Sequence, residues 1–177
     1  MSQRRLFVAL RPPEAVCDAL LDTMEGLAGA RWQDADNLHI TLRFVGEVDR
    51  HTQRDLESAL SDIDFAAFRI AIEGVGHFQG KKRARAIWAR IAPNAELNEL
   101  QRRVEYACRR AGLPVETRKF IPHITLARLN SGSADPRDWL SRNGRLAPEP
   151  WLADKFSLFE SDLTPQGAIY SEIAAFQ

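Results

Sequence analysis

The sequence predicts an α+β fold in which two pseudo-symmetric lobes, each a small and mainly antiparallel sheet with helices on its outer face, flank a cleft. The tetrapeptide His-Ile-Thr-Leu occurs at residues 39–42 and again at residues 123–126, about half the chain length apart. Stretches with the repeat of amphipathic helices alternate with stretches that have the two-residue repeat of strands. We therefore expect a single bilobal domain over residues 1–177, built from a duplicated unit.

The first strand is predicted at residues 4–10, where Leu6, Val8 and Leu10 share one face and Phe7 faces the other side. A helix follows, because the two prolines after the strand are tolerated in a first helical turn. Its apolar stripe recurs at helical spacing, with Val16, Leu20, Met24 and Leu27 as members.

The first motif strand is predicted to end at Gly46, and Asp49 or Thr52 is expected to cap a second helix. The buried stripe of that helix consists of Leu56, Leu60 and Ile63. A strand around residues 68–72 and a strand over residues 84–91 then form a hairpin, with a long glycine-rich and basic loop over residues 74–83 between them.

A third helix is predicted to start at Asn94 and to end at Gly112, and a segment with Pro114 and the basic pair Arg118-Lys119 leads into the second motif strand. A loop and a short helix over residues 136–140 follow. Two final strands, residues 151–160 and 168–176, are expected on either side of a Thr-Pro-Gln-Gly turn.

Composition restricts the class of protein. Hydrophobic residues make up 45% of the chain and the formal net charge is zero, so contact with nucleic acid would have to come from local patches. No long apolar run predicts a membrane span, and no signal-like segment follows the N-terminus.

Cys17 and Cys108 lie in helical patterns and are read as buried thiols of a cytoplasmic protein. No His or Cys pair has metal-ligand spacing, so no metal is expected.

The repeated motif is where we expect chemistry. In a strand, His39 and Thr41 point to one face, and the same holds for His123 and Thr125. One His-x-Thr alone is usually structural, but two copies in matching contexts favour a shared site. Two imidazoles suit concerted acid–base catalysis near neutral pH. Two threonine hydroxyls can donate to anionic oxygens, so a phosphodiester fits this site without a metal or another cofactor.

Two neighbouring side chains have alternative readings. Arg43 lies on the His39 face if the strand alternates regularly, so it either contacts the phosphate or remains a solvated charge at the rim. Phe7 either stacks on a base of the substrate or packs between the lobes.

The two motifs and their flanking residues resemble the 2H phosphoesterase superfamily. Within it, the chain is similar to the RNA 2′,3′-cyclic phosphodiesterases, historically called 2′-5′ RNA ligases. The segments that carry this resemblance, which covers essentially the whole chain, are residues 5–10, 37–48, 120–128 and 156–161. The resemblance implies a bilobal α+β fold and cofactor-free hydrolysis of a 2′,3′-cyclic phosphate at an RNA end to a 2′-phosphate. It also implies weak, ATP-independent joining of tRNA halves through a 2′-5′ bond.

Carried over to this chain, the resemblance implies that His39 donates a proton to the leaving oxygen and that His123 accepts one from water. It makes Thr41 and Thr125 the phosphate ligands. The sequence does not order the two histidines by itself. Arg128 is a further substrate contact by resemblance, although strict alternation from His123 turns it away and a β-bulge is needed to bring it back.

Other functions remain open at this point. A related enzyme could act on a small cyclic nucleotide, a 2′-5′ oligonucleotide or a cyclic phosphate from nucleotide-sugar metabolism. A non-catalytic module could bind RNA ends, although binding alone would not need two histidines. The expected partners are RNA ends, with no membrane, and the expected state is a monomer.

Overall fold

The computed structural model describes residues 2–177, which form ten strands, four α-helices and one 3-10 turn. Most elements start and end close to the predicted residues. In chain order they are β1 (Arg4–Leu10), α1 (Glu14–Leu21), β2 (Arg31–Trp32), the 3-10 turn (Ala35–Asn37), β3 (Ile40–Val48), α2 (Arg50–Ser61), β4 (Phe68–Ile70), β5 (Ile72–Gln79), β6 (Ala84–Ile91), α3 (Ala95–Arg110), β7 (His123–Arg128), α4 (Arg137–Arg142), β8 (Trp151–Ala153), β9 (Phe156–Thr164) and β10 (Gly167–Phe176).

One large antiparallel sheet dominates the fold, with the strand order β10-β9-β1-β3-β7-β6-β5, and β2 pairs with the end of β7. The two motif strands, β3 and β7, are neighbours in its centre. They share one paired position, Ile40 with Ile124. We call β10-β9-β1-β3 the first lobe and β7-β6-β5 with β2 the second lobe. The α+β class with antiparallel strands is confirmed, and the two lobes are half-sheets that meet at this single pair.

The repeated pattern suggested that each lobe corresponds to one half of the chain. The structure shows that this is not so. The C-terminal hairpin β9–β10 returns to the first lobe, where Phe159 pairs with Phe7 of β1. The second lobe is built mainly from the middle of the sequence. Each lobe therefore combines segments that are distant in sequence, and the duplication is interleaved.

All four helices lie against one face of the sheet. Its buried side chains include Leu6 and Val8 of β1, which join Leu56 of α2, Leu100 of α3 and Trp139 of α4 in one hydrophobic core. Burial of this face is the main stabilising contribution to the fold. The opposite face carries a much smaller cluster, and it is the face on which the motif histidines and threonines lie.

Local signals in the sequence explain most element ends. Asp49 caps α2 by accepting a hydrogen bond from the backbone N–H of Thr52, and Asn94 caps α3 in the same way for Leu97. Within residues 2–177, no helix is both long and apolar enough to span a membrane.

Several predicted boundaries were wrong. Helix α1 ends at Leu21 and α2 ends at Ser61, so Met24, Leu27 and Ile63 of the predicted stripes lie beyond the helices, and β2 was not predicted. The loop predicted from residue 74 is strand as far as Gln79, because Gly76 pairs with Trp88 and its missing side chain leaves room for the indole. The stretch 151–160 is divided into β8 and β9, because β8 leaves the large sheet and pairs with β4.

Candidate active site

The four motif side chains lie around the single pair that joins the lobes. Because β3 and β7 are antiparallel with Ile40 opposite Ile124, the register places His39 beside Thr125 and Thr41 beside His123. The two isoleucines are fully buried on the helix side, and the four polar residues are partly exposed on the open face. The structure thus brings both motifs into one quartet with approximate two-fold symmetry.

Each histidine is oriented by its own backbone. The Nδ1 atom of His39 lies 2.7 Å from the carbonyl oxygen of Asn37, and Nδ1 of His123 lies 2.6 Å from the carbonyl oxygen of Ile121. A carbonyl oxygen only accepts hydrogen bonds, so Nδ1 must carry the proton in both rings. In the neutral rings the free lone pair is therefore on Nε2, the nitrogen left for proton transfer.

Aromatic rings surround both imidazoles. The ring of His39 lies 5.0 Å from that of Phe7 and 5.3 Å from that of Tyr170. The ring of His123 lies 4.8 Å from that of Phe78 and 5.7 Å from that of Trp88. These apolar walls restrict the rotation of each imidazole and reduce its contact with water.

Gly76 leaves room for the Trp88 ring, which packs against His123. A Cβ atom at this position would lie 2.5–2.8 Å from three atoms of the Trp88 ring, too close for any other residue. The indole therefore packs directly on the backbone of β5.

The environment disfavours positive charge on both histidines. Burial lowers the pKa of His39 to about 4, and the positive charges of Arg11, Arg128 and, when it is protonated, His123 contribute in the same direction. Burial also lowers the pKa of His123. Both rings are consequently neutral at pH 7 without a ligand, and an anion between them would raise both pKa values.

A β-bulge lies at the last residue of each motif. In β3, Ala9 pairs with Thr41 and Val8 pairs with Arg43, which leaves Leu42 without a partner. In β7, Trp88 pairs with Thr125 and Ile87 pairs with Ala127, which leaves Leu126 without one. An extra residue reverses the alternation of every side chain that follows it.

The first bulge corrects the prediction for Arg43. Its side chain is 8% exposed and points to the helix side, where Nε donates to Glu105 at 2.5 Å and the other nitrogens donate to the carbonyl oxygens of Phe44 and Pro114. Each of the three guanidinium nitrogens thus donates to an acceptor of the protein on the helix side. Arg43 is therefore neither a phosphate ligand nor a solvated rim charge.

The second bulge has the opposite effect on Arg128. It supplies the irregularity that this residue needs in order to lie on the face of His123 and Thr125. The side chain of Arg128 is exposed, and its charge acts on His39. Phe44 occupies the equivalent position in β3 and is 38% exposed.

Phe7 lies behind His39. Its ring is only 4% exposed, because Phe159, Tyr170 and His39 cover it. The structure therefore places Phe7 as packing inside the first lobe, and no open face of the ring is available for a base.

Several site residues were missed from the sequence. Tyr170, Phe78 and Trp88 reach the histidines only through strand pairing, and Arg11 lies beyond the end of β1. Regular alternation along β1 would have placed Arg11 on the face of Phe7, which is the one signal that could have identified it. Within residues 2–177, no group of three or more His, Cys, Asp or Glu residues is arranged to hold a metal ion.

This geometry fits general acid–base chemistry on an anionic centre. The sequence model of the LigT-like phosphoesterases matches residues 10–88 and residues 91–170, and each of these spans contains one His-Ile-Thr-Leu motif. The chain belongs to the LigT-like phosphoesterase family. It is thus a 2H phosphoesterase with an antiparallel α+β fold.

Relatives of this phosphoesterase match over most of their length. It is 29% identical to an RNA 2′,3′-cyclic phosphodiesterase of Archaeoglobus fulgidus, over 98% of this chain and 99% of that protein. It is 33% identical to the Aeropyrum pernix protein of the same name, over 78% of this chain and 80% of that one. The crystal structure of Escherichia coli LigT complexed with 3′-AMP superposes with a TM-score of 0.80, 23% identity and coverage of 98% and 97%, and this likeness supports the fold.

Proposed function

We propose that this phosphoesterase hydrolyses 2′,3′-cyclic phosphate ends of RNA to 2′-phosphate ends, using His39 and His123 and no metal or other cofactor. The observation that carries the proposal is the quartet of two histidines and two threonines around the pair Ile40–Ile124. The names of the Archaeoglobus and Aeropyrum relatives support the RNA substrate. The 3′-AMP complex of the Escherichia coli protein supports binding of a nucleotide with a terminal phosphate.

In the proposed reaction, Nε2 of His123 takes a proton from water while the water oxygen bonds to phosphorus. The bond between phosphorus and O3′ breaks, and His39 gives its proton to that oxygen, so the product keeps the phosphate on O2′. Thr41 and Thr125 donate hydrogen bonds to the two non-bridging oxygens. Charge on those oxygens is stabilised most in the transition state, where preorganised donors accelerate the reaction.

The mechanism needs one protonated imidazole, and binding of the substrate provides it. His39 is neutral in the free protein because its pKa is lowered to about 4. The negative phosphodiester between the two rings raises the pKa of each, so one imidazole becomes protonated in the complex. We assign the donor role to His39 by family resemblance, and both histidines keep their roles in ligation; the roles exchange only in the reverse step, in which O3′ attacks phosphorus and closes the ring.

The remaining parts of the proposal follow the same resemblance. When a free 5′-hydroxyl end replaces water as the nucleophile, its oxygen bonds to phosphorus and the bond to O3′ breaks, which gives weak 2′-5′ RNA ligation without ATP, with tRNA halves as candidate substrates. We propose that one monomeric bilobal domain in the cytoplasm performs both reactions, because each lobe supplies one His-Thr pair and the quartet is complete within one chain.

The test is an RNA oligonucleotide that ends in a 2′,3′-cyclic phosphate, followed by identification of the product isomer. The wild-type protein should give the 2′-phosphate, and His39→Ala and His123→Ala should each lower the rate by about 10²–10⁴. His51→Ala is the matched control, because His51 is 85% exposed beside Asp55 on α2. The rate should depend on pH as a bell-shaped curve.

Competing functions give different results in this assay. Exclusive turnover of cyclic mononucleotides, 2′-5′ oligonucleotides or nucleotide-sugar cyclic phosphates would assign a different substrate to the same quartet. RNA binding without turnover would indicate an end-binding module. Near-native turnover by either histidine variant would overturn the two-histidine mechanism.

A further inference from the structure

Arg11 lies beside the quartet, although no motif contains it. Side chains alternate along β1, so Phe7, Ala9 and Arg11 follow one another on the open face. The last paired residue of β1 is Leu10, which lies opposite Ile40. The next residue, Arg11, is therefore level with His39 on the neighbouring strand.

An aromatic ring supports the guanidinium of Arg11. The Cζ atom lies 4.8 Å from the centre of the Phe159 ring. Phe159 stacks on Phe7 at 5.3 Å, and Phe7 contacts His39 at 5.0 Å. This cation–π contact restricts the mobility of a long side chain, so less entropy is lost when the guanidinium binds a ligand.

The positive charge of Arg11 has no partner among residues 2–177. The ion pairs of that part of the chain include neither Arg11 nor Arg128. By contrast Arg4, at the other end of β1, pairs with Glu160. Both unpaired charges act on His39, one from each lobe. The two guanidinium groups therefore repel one another across a neutral imidazole. A bound anion would relieve this repulsion.

In the proposed reaction the quartet holds the reacting phosphate, so Arg11 is available for a second one. A 2′,3′-cyclic mononucleotide carries only the reacting phosphate. An RNA end carries another one, the phosphodiester on the 5′ side of its terminal nucleotide. We infer that Arg11 binds this preceding phosphodiester and makes the protein select RNA ends over cyclic mononucleotides. This inference rests on the proposed function and specifies its substrate class.

The experiment compares two substrates that differ in that phosphodiester. They are adenosine 2′,3′-cyclic phosphate and the dinucleotide ApA with a 2′,3′-cyclic phosphate end. Arg11→Gln should lower kcat/KM for the dinucleotide by about 10- to 100-fold more than for the mononucleotide, because a charge-assisted hydrogen bond is lost. Arg11→Lys should recover part of the difference, since it keeps the charge but not the planar fork.

Arg54→Gln provides the matched control for loss of one positive charge. Arg54 is exposed on α2, and α2 packs on the opposite face of the sheet. This variant should keep the wild-type ratio between the two substrates. The dependence of dinucleotide kcat/KM on salt should also become weaker in Arg11→Gln and stay unchanged in Arg54→Gln.

Equal losses on both substrates would overturn the inference, because Arg11 would then act through His39 or through packing on Phe159. The absence of any loss would overturn it as well. If the wild-type protein hydrolyses neither substrate, the proposed function fails on its own. Calorimetric binding of ApA 2′-phosphate and adenosine 2′-phosphate to wild type and Arg11→Gln would still test the contact, with a selective loss for the dinucleotide as the expected result.

Discussion

At the scale of single residues, each histidine is held in one tautomer by the carbonyl group two positions before it. The contacts to Asn37 and Ile121 hold the Nδ1 proton, so in both neutral rings the free lone pair is on Nε2. The threonines complement this arrangement with hydroxyl groups that do not titrate in the working pH range. Acid–base work and anion binding are therefore separable by mutation.

Thr41→Val and Thr125→Val should each slow hydrolysis of a 2′,3′-cyclic substrate by roughly 10²–10³, the usual effect of removing one preorganised donor. Valine keeps the branched shape but cannot donate to a phosphate oxygen. The midpoints of the pH–rate curve should move little, because no titrating group is lost. Thr52→Val, at the start of α2, is the control. If only one of the two motif threonines matters, the symmetric quartet is not the active site.

The lowered pKa of His39 predicts a pH dependence of stability. The pKa is about 4 in the folded protein against 6.5 for an ordinary histidine. Between these values the unfolded chain binds the proton and the folded protein does not, so the free energy of unfolding decreases as the pH falls through this window. Above pH 6.5 this contribution is fully present.

Urea denaturation of wild type and His39→Gln at about pH 7 and pH 5 would measure this effect. The decrease in unfolding free energy should be smaller in the variant. His51→Gln should retain the wild-type decrease, because His51 is exposed in the folded protein. An identical decrease in wild type and His39→Gln would show that His39 does not carry this linkage.

At the scale of elements, the bulges at Leu42 and Leu126 determine which side chains join the site. Equivalent bulges have different consequences because the residues that follow them differ. In β3 the bulge places Arg43 under the helices and exposes Phe44, whereas in β7 it buries Ala127 and exposes Arg128. The approximate two-fold symmetry of the quartet thus ends one residue beyond each motif.

Arg43→Gln should destabilise the protein by about 3 kcal/mol, because it leaves the Glu105 carboxylate without its buried partner. Activity per folded molecule should remain near wild type, since the guanidinium lies on the helix side. Arg137→Gln is the control: its ion pair with Asp135 is exposed, so the loss should be below about 1 kcal/mol. Chemical denaturation and kcat/KM would measure both quantities. A stable but inactive Arg43→Gln protein would restore Arg43 as a phosphate ligand.

At the scale of the whole molecule, the large sheet has two unlike faces. Four helices cover one face, and the other carries the quartet, its aromatic walls and the unpaired Arg11 and Arg128. Because β3 and β7 share only the pair Ile40–Ile124, few backbone hydrogen bonds hold the two half-sheets together. The quartet lies where the halves meet, so the position of one histidine relative to the other depends on both lobes.

Hydrolysis should persist in EDTA, because in the proposed mechanism imidazoles move both protons and hydroxyl and guanidinium groups hold the anion. The assay uses the 2′,3′-cyclic RNA end after extensive dialysis against chelator, with and without added divalent ions. Unchanged kcat/KM is the expected outcome. Loss of turnover in chelator that a divalent ion restores would contradict the metal-free mechanism.

Local patterns in the sequence were sufficient for most strands, the helix caps and the shared face of His39 and Thr41. These features depend on side-chain alternation and on hydrogen bonds to residues nearby in the chain. The motif pair was also enough to indicate the family, because two copies in matching contexts carry more information than one.

Only the tertiary structure decided the pairing of β3 with β7, the bulges after each motif and the return of β9–β10 to β1. All three depend on pairing between segments that are distant in the sequence. A one-residue bulge in such a pairing turns the following side chains to the face opposite to the one that regular alternation predicts. For that reason the sequence determined His39, Thr41, His123 and Thr125 as the candidate site. The fold alone removed Arg43 from it and added Arg11, Tyr170 and Trp88.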